Sequence, residues 1–206
     1  MLCCAKLLET MLRWLVLCTL LLSTTQAAAE GIDIRKAEAR LTNEGYLLSA
    51  DFDIKLPSQV EEALMRGVTL YFESELSVHR SRWYWPDQEI ASFTQTSKLS
   101  YNTLTQQYRL TRGGLYQTFV SLPDALRVLG RQVAPPIEIA QLDQASGGYF
   151  SRLIKKGSQV GVVAWMGLDI TQLPKPLQMN VLTDDQWKLE SVRFHWDIRP
   201  EEGSSE

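Results

Sequence analysis

The stretch Val68-Thr-Leu-Tyr-Phe-Glu-Ser-Glu-Leu-Ser-Val78 alternates apolar and polar residues over most of its length. Successive side chains of a β-strand point to opposite faces, so this alternation predicts a strand whose even-numbered residues face a core. A strand with one buried face needs other strands beside it and a layer above it. The rest of the sequence is therefore expected to provide those strands and that layer.

The nine residues that follow, His79-Arg-Ser-Arg-Trp-Tyr-Trp-Pro-Asp87, combine three aromatic residues, two arginines and a turn signal. Pro86 has no backbone N–H and a fixed φ, and it biases the residue before it toward an extended conformation. The strand is therefore predicted to end at Pro86.

Continued without a break, the register of the strand would bury Arg80 and Arg82 and leave Trp83 and Trp85 in water. One interpretation is a bulge near His79–Ser81 that turns both tryptophans inward. The other is that the register holds, so that the two indoles form an exposed aromatic pair suited to binding.

The N-terminus has the pattern of an export signal. Lys6 and Arg13 precede an uncharged apolar run, Trp14–Leu22, and Ala27-Ala-Ala29 offers a small-residue cleavage site. We therefore expect residues 1–29 to be a signal peptide and the mature protein to be exported to the periplasm. The apolar run is shorter than the ~20 residues that span a bilayer, so no membrane span is expected after cleavage.

The three cysteines, Cys3, Cys4 and Cys18, all lie within that signal. The mature chain then has no disulfide, thiol nucleophile or thiolate metal site. Without residues 1–29 the chain keeps 19 basic and 23 acidic residues, a net charge of −4. This charge disfavours nucleic acid as a partner.

Similar patterns predict the remaining elements. Strands are expected at 32–41, 46–54, 89–101, 105–111, 115–120, 137–140, 160–170 and 187–198, the last with Val192, Phe194, Trp196 and Ile198 inward. One helix is expected between Leu56-Pro-Ser58 and Gly67, a second over 122–130 and a further short one around 149–155.

These elements predict a mainly β protein, a single antiparallel β-sandwich of immunoglobulin-like architecture with two short helices. The domain would span residues 30–198, with a disordered acidic tail at 199–206. An α+β sheet with both helices on one face is the alternative.

Few residues suggest catalysis or metal binding. His79 and His195 are far apart and lack ligand spacing, and Asp51 with Asp53 reads as a solvated strand face. No catalytic residue, metal site or cofactor is therefore assigned. A hydrolase of envelope polymers remains an alternative, with a carboxylate pair that the sequence does not identify.

The residues suited to recognition are aromatic and basic. Arginine stacked on an aromatic ring can hold a fold corner together or bind a sugar, a peptide or a partner protein. The candidate binding residues are Arg80, Arg82, Trp83, Tyr84, Trp85, Tyr101, Tyr108 and Arg109.

Several motifs occur in a fixed order after the export signal: Arg82-Trp-Tyr-Trp-x-Asp87, Leu99-Ser-Tyr-Asn-x-Leu-Thr105, Gln107-Tyr-Arg109, Leu168-Asp-x-x-Gln-Leu-Pro-Lys-Pro176 and Trp187-x-Leu189. Together they resemble the bacterial domain-of-unknown-function family 4390 over nearly the whole mature chain. The resemblance implies a location in the Gram-negative envelope. Genes of this family often neighbour a gene for a sensor histidine kinase, which implies a sensory accessory role.

We therefore expect a non-enzymatic module that binds an envelope protein or ligand not identified by the sequence. A structural assembly factor is a further alternative.

Overall fold

A computed structural model describes residues 31–80, 88–145, 160–181 and 185–198 of the 206-residue chain. The described strands are β1 (Gly31–Thr42), β2 (Gly45–Lys55), β3 (Leu70–Arg80), β4 (Gln88–Asn102), β5 (Gln107–Arg112), β6 (Leu115–Phe119), β7 (Arg131–Val133), β8 (Val160–Leu168) and β9 (Phe194–Asp197). The described helices are α1 (Ser58–Met65), α2 (Leu122–Gly130), α3 (Ile139–Ala145) and α4 (Lys175–Val181), with 3-10 turns at Ile170–Gln172 and Asp185–Trp187. The predicted signal peptide, the helix at 149–155 and the acidic tail lie outside the described residues.

The strands form two antiparallel sheets. A three-stranded sheet has the order β1-β2-β7, and a six-stranded sheet has the order β6-β5-β4-β3-β8-β9. Their buried side chains belong to one hydrophobic cluster. The predicted mainly β, antiparallel sandwich is therefore confirmed, although the described residues contain four α-helices where two were expected. None of these helices has the length and apolar character needed to cross a bilayer.

The core follows the two-residue period of the sequence. The even-numbered residues of β2, of β3 as far as Val78 and of β8 are buried, and Phe72, Leu76 and Met166 are almost completely enclosed. Burial of such a side chain contributes roughly 1.5–3 kcal/mol. Val60 and Leu64 of α1, together with Leu126 and Leu129 of α2, close the same cluster.

A register irregularity lies where the sequence suggested one, but on the neighbouring strand. Between β3 and β4 the pairing steps from Val78↔Ala91 to His79↔Glu89, so Ile90 is the extra residue. The pairing of β3 with β8 continues without a shift to Arg80↔Val160. Because the extra residue belongs to β4, β3 itself contains no inserted residue as far as the backbone of Arg80.

The prediction of a strand at 137–140 is wrong. Only Ile137 pairs, with Tyr46 N–H donating to Ile137 O at 3.0 Å and Ile137 N–H donating to Tyr46 O at 2.9 Å. Residues after Ile137 would have to pair with the turn before Gly45, which offers no extended partner. The chain instead forms α3, which buries Leu142.

The strand predicted at 187–198 is shorter than expected. The bridge Gly167↔Glu190 and the pair Ala164↔Phe194 differ by one residue in register, so the chain contains an extra residue between them. Val192 falls in this irregularity and is 77% exposed, which contradicts its predicted inward position. Phe194 is also exposed, while Ile198 is buried as predicted.

Two further boundaries differ from the sequence prediction. Asn102 Oδ1 accepts the N–H groups of Leu104 at 3.0 Å and Thr105 at 3.3 Å, which makes a turn of residues expected to begin β5. The β8 strand ends at Leu168 because the Asp169 side chain accepts the Thr171 N–H at 3.0 Å and caps a 3-10 turn.

Arg112 fixes α2 against the six-stranded sheet. Its guanidinium donates to Leu129 O at 3.0 Å, Val128 O at 3.3 Å and Arg131 O at 3.0 Å, and its Nε donates to Ser97 Oγ at 3.2 Å. These carbonyls stand at the C-terminal end of α2, where helix acceptors have no partner within the helix. Burial lowers the pKa of Arg112 below its usual range.

Arg112→Met should lower the free energy of unfolding by about 2–3 kcal/mol, because several carbonyls lose a charged donor. Arg109→Met, on the exposed face of the same strand, is the matched control and should change it by less than about 1 kcal/mol. Urea denaturation of both variants measures the difference. Equal midpoints would show that Arg112 does not hold the helix.

Gly45→Ala should be more costly than Gly67→Ala, although both glycines have positive φ, at 133° and 92°. A Cβ at Gly45 would lie too close to Ile137 O, whereas the same position at Gly67 is open. We expect an additional loss of about 1–3 kcal/mol from this clash. Thermal unfolding of the two variants tests it, and indistinguishable losses would argue against the close approach of residue 137 to β2.

Candidate functional site

A tight hairpin places β6 at the end of the six-stranded sheet. Gly113 and Gly114 have φ values of 54° and 83°, and the flanking residues Arg112 and Leu115 face each other. Two central residues with positive φ are typical of a type I′ turn, whose twist matches that of the strands and which glycine adopts without strain. The sequence therefore fixes the register of β6 at its first residue.

The turn also determines which backbone groups of β6 remain open. A two-residue turn closes on a hydrogen-bonded pair, so Leu115, Gln117 and Phe119 direct their N–H and C=O groups toward β5. The same groups of Tyr116 and Thr118 point the other way. Since β6 ends the sheet and none of the described residues pairs with its outer side, these groups form an open edge.

The side chains do not protect this edge. Leu115 is 79% exposed and Tyr116 is 64% exposed, and Val120, directly after the strand, is 82% exposed. The strand Leu-Tyr-Gln-Thr-Phe contains no charge and no proline, and its pairing with β5 shows no irregularity. Natural edge strands usually carry such features because an unprotected edge invites pairing with another strand.

The other strands that end a sheet are protected. The β1 strand has a register shift between Ile34 and Lys36, and it carries charges at Arg35, Lys36, Glu38 and Arg40. The β9 strand is four residues long and includes His195 and Asp197. The β7 strand has three residues and is soon followed by two prolines. Among the four described strands that end a sheet, β6 is thus the one best suited to strand addition.

The faces of β5 divide the predicted aromatic and basic residues. Tyr101 and Tyr108 are directly opposed on the inner face, with ring centroids 4.9 Å apart. Tyr108 is only 9% exposed, and burial, with Glu61 adding to it, raises its pKa above the usual value. Both tyrosines pack on the core, Tyr108 as a buried residue and Tyr101 as a partly buried one.

Arg109 lies on the outer face instead. Its guanidinium carbon is 4.9 Å from the centroid of the Tyr116 ring, so the two side chains form a cation–π pair beside the open edge. Tyr116 was not among the residues chosen from the sequence. The sequence feature that could have identified Tyr116 is the absence of charge on the short strand after Gly113-Gly114. This feature indicates a binding site only when the strand is known to lie at the edge of a sheet.

A small cavity adjoins the inner face of the same edge. Its volume is about 130 Å³, and it is lined by Leu110, Arg112, Leu115, Gln117 and Val128. Alternate side chains of a strand paired with β6 would point toward this cavity, and the others toward Tyr116. The edge therefore offers backbone groups flanked by a separate side-chain contact on each face.

The structure does not place the remaining predicted site residues beside the β6 edge. Arg82, Trp83, Tyr84 and Trp85 lie outside the described residues, and for Arg80 the structure describes the backbone, paired with Gln88 and Val160. Gln88 and Tyr101 stand near opposite ends of β4, roughly 40 Å apart along an extended strand. A binding role for the segment around Trp83 and Trp85 stays a separate prediction.

The histidines and acidic residues make local contacts. His79 Nε2 lies 2.8 Å from Ser77 Oγ, and the Asp53 carboxylate lies 2.8 Å from Arg35 and 3.9 Å from Lys55. A cleft of about 280 Å³ beside Asp53 is lined by residues of both charges. Within the described parts of the chain, no three His, Cys, Asp or Glu side chains are grouped so as to hold a metal ion.

Comparison with known proteins gives one result. Neither the curated proteins nor the solved structures contain a match to this sequence. The family model described as Domain of unknown function (DUF4390) matches residues 29–197, which is most of the chain and includes both sheets. The resemblance found from the motifs is thereby confirmed, and the chain belongs to the DUF4390 family.

Proposed function

We propose that this protein is a polypeptide-binding module of the cell envelope that pairs an extended segment of a partner with β6. The observation that supports it is the open edge itself, an uncharged strand whose Tyr116 and Thr118 peptide groups face outward. In strand addition, backbone hydrogen bonds provide the affinity and side-chain contacts on alternate faces provide the selectivity.

The edge provides both kinds of contact. Two outward residues offer up to four backbone hydrogen bonds, each with a net contribution of roughly 0.5–1.5 kcal/mol. On the inner face, the 130 Å³ cavity accommodates an apolar side chain of the added strand. On the outer face, the Arg109–Tyr116 pair offers an aromatic surface with a positive charge and favours an acceptor or a carboxylate.

The location and the partner class are part of the proposal. The basic start, the apolar run Trp14–Leu22 and the alanines before Glu30 support export to the periplasm. The resemblance to a family whose genes often neighbour a sensor histidine kinase gene supports a role as an accessory of such a kinase. The partner segment would then belong to an extracytoplasmic part of an envelope protein.

A photo-crosslinking amino acid at Val120 should yield adducts with an envelope protein in the producing cell, because this side chain lies beside the open edge and is 82% exposed. The same group at Leu41, an exposed position of β1 in the other sheet, is the matched control. Adducts are separated by mass and identified by mass spectrometry.

Tyr116→Pro should abolish the Val120 adducts, because it removes an outward N–H while leaving the pairing with β5 intact. Tyr116→Ala keeps the N–H and should retain most of them. Thermal unfolding of both variants shows whether the fold survives. Equal adducts from Val120 and Leu41, or adducts that persist in a folded Tyr116→Pro variant, would contradict strand addition at β6.

A further inference from the structure

We infer that the strand paired with β6 is the β6 strand of a second copy of this chain, in antiparallel pairing around a twofold axis at Gln117. This inference names the partner of the site proposed above and rests on that proposal. It follows from the positions of the open groups, the charges of the strand and the exposed apolar side chains.

The open backbone groups are arranged symmetrically. Tyr116 and Thr118 direct their N–H and C=O groups outward, and Gln117 lies between them with its groups directed toward β5. In an antiparallel pair centred on Gln117, Tyr116 of one copy faces Thr118 of the other. Each of these two opposed pairs exchanges both backbone hydrogen bonds. All outward groups of the five-residue strand are then satisfied in one register.

The charge pattern permits such a pair. Twofold symmetry places Gln117 opposite itself, so a charged residue there would face a like charge at short range, which is destabilising. The strand from Leu115 to Phe119 carries no charge at any position. The same operation at the β1 edge would bring together strands that contain Arg35, Lys36, Glu38 and Arg40.

The second copy also completes the inner face. With Gln117 on the axis, the exposed Leu115 of one copy faces Phe119 of the other, which is half-buried in its own chain. Leu115 lines the 130 Å³ cavity, so this contact places an aromatic ring at the mouth of the cavity and removes apolar surface from water. The cavity is thus bounded by both copies.

The pairing would join the two six-stranded sheets into one sheet of twelve strands. Five residues a side is small beside the roughly 20–30 residues a side of a standard interface. We therefore expect a weak dimer whose population rises with concentration, and the other edges should take no part in it.

Charge substitutions at Gln117, on the twofold axis, test the inference. The protein is expressed from its full sequence and purified in the form in which the cell processes it. Sedimentation of the wild-type protein over a range of concentrations should show a monomer–dimer equilibrium. Gln117→Lys and Gln117→Glu should each weaken the association at least about tenfold, because each opposes like charges. An equimolar mixture of the two variants should restore it, because opposite charges then meet.

Cysteine substitution gives a second readout, in a chain with Cys3, Cys4 and Cys18 replaced by serine. Gln117→Cys places two thiols in a non-hydrogen-bonded pair, whose Cα atoms lie about 4.5 Å apart and within the range of a disulfide. Oxidation should link two copies. Thr118→Cys is the control: its two copies are offset by two residues along the strand, beyond about 7 Å, and should not link.

Three results would overturn the inference: a monomer at every concentration, unchanged association in both charge variants, or equal crosslinking at residues 117 and 118. If the chain stays monomeric while Val120 adducts with another protein form and are lost in Tyr116→Pro, strand addition at β6 stands and self-pairing is wrong. If those adducts are also absent, both proposals are wrong.

Discussion

A buried peptide group must form a hydrogen bond, and this requirement governs the architecture of the protein. Within the six-stranded sheet, β3, β5 and β8 satisfy it largely through neighbouring strands on both sides, and β4 does so over Ser97–Asn102. The last strand on each side can satisfy it on one side only. The β9 strand is only four residues long and contains Asp197, whereas β6 keeps an uncharged and regular open side. The candidate site lies at β6 because the series of interstrand backbone hydrogen bonds ends at the outer side of this strand.

Much of the fold could be predicted from residue periodicity. The alternation in β2, β3 and β8 identified the inward residues correctly, since each of these strands has a neighbour on both sides over part or all of its length. The errors occur where one residue is added or no partner strand remains. Ile90 and Val192 sit at such additions, and Ile137 pairs once beside a turn. A local burial conflict suggested an extra residue near His79, but which strand contains it depends on which strands meet.

The candidate site was harder to predict for a related reason. Aromatic and basic character predicted Tyr101, Tyr108 and Arg109 as binding residues. The two tyrosines pack on the core, whereas Arg109 stacks on Tyr116 outside it. Arg109 and Arg112, three residues apart on one strand, also point to opposite faces. The first stacks on an exposed ring, and the second binds carbonyls at the end of α2. Residue type alone does not distinguish these roles, whereas the register of β5 does.

The order of the strands has a consequence for how the chain acquires its structure. From β3 to β6 the sheet is a meander of neighbouring hairpins, which form quickly because the loops to be closed are short. The eighth strand joins β3 only after some 80 further residues have been synthesised. Until then, the side of β3 that will pair with β8 has open backbone N–H and C=O groups. Glu73 and Glu75 are half-buried residues on the other face of β3 from Phe72 and Leu76, and we expect their negative charge to discourage aggregation of this nascent species before β8 arrives.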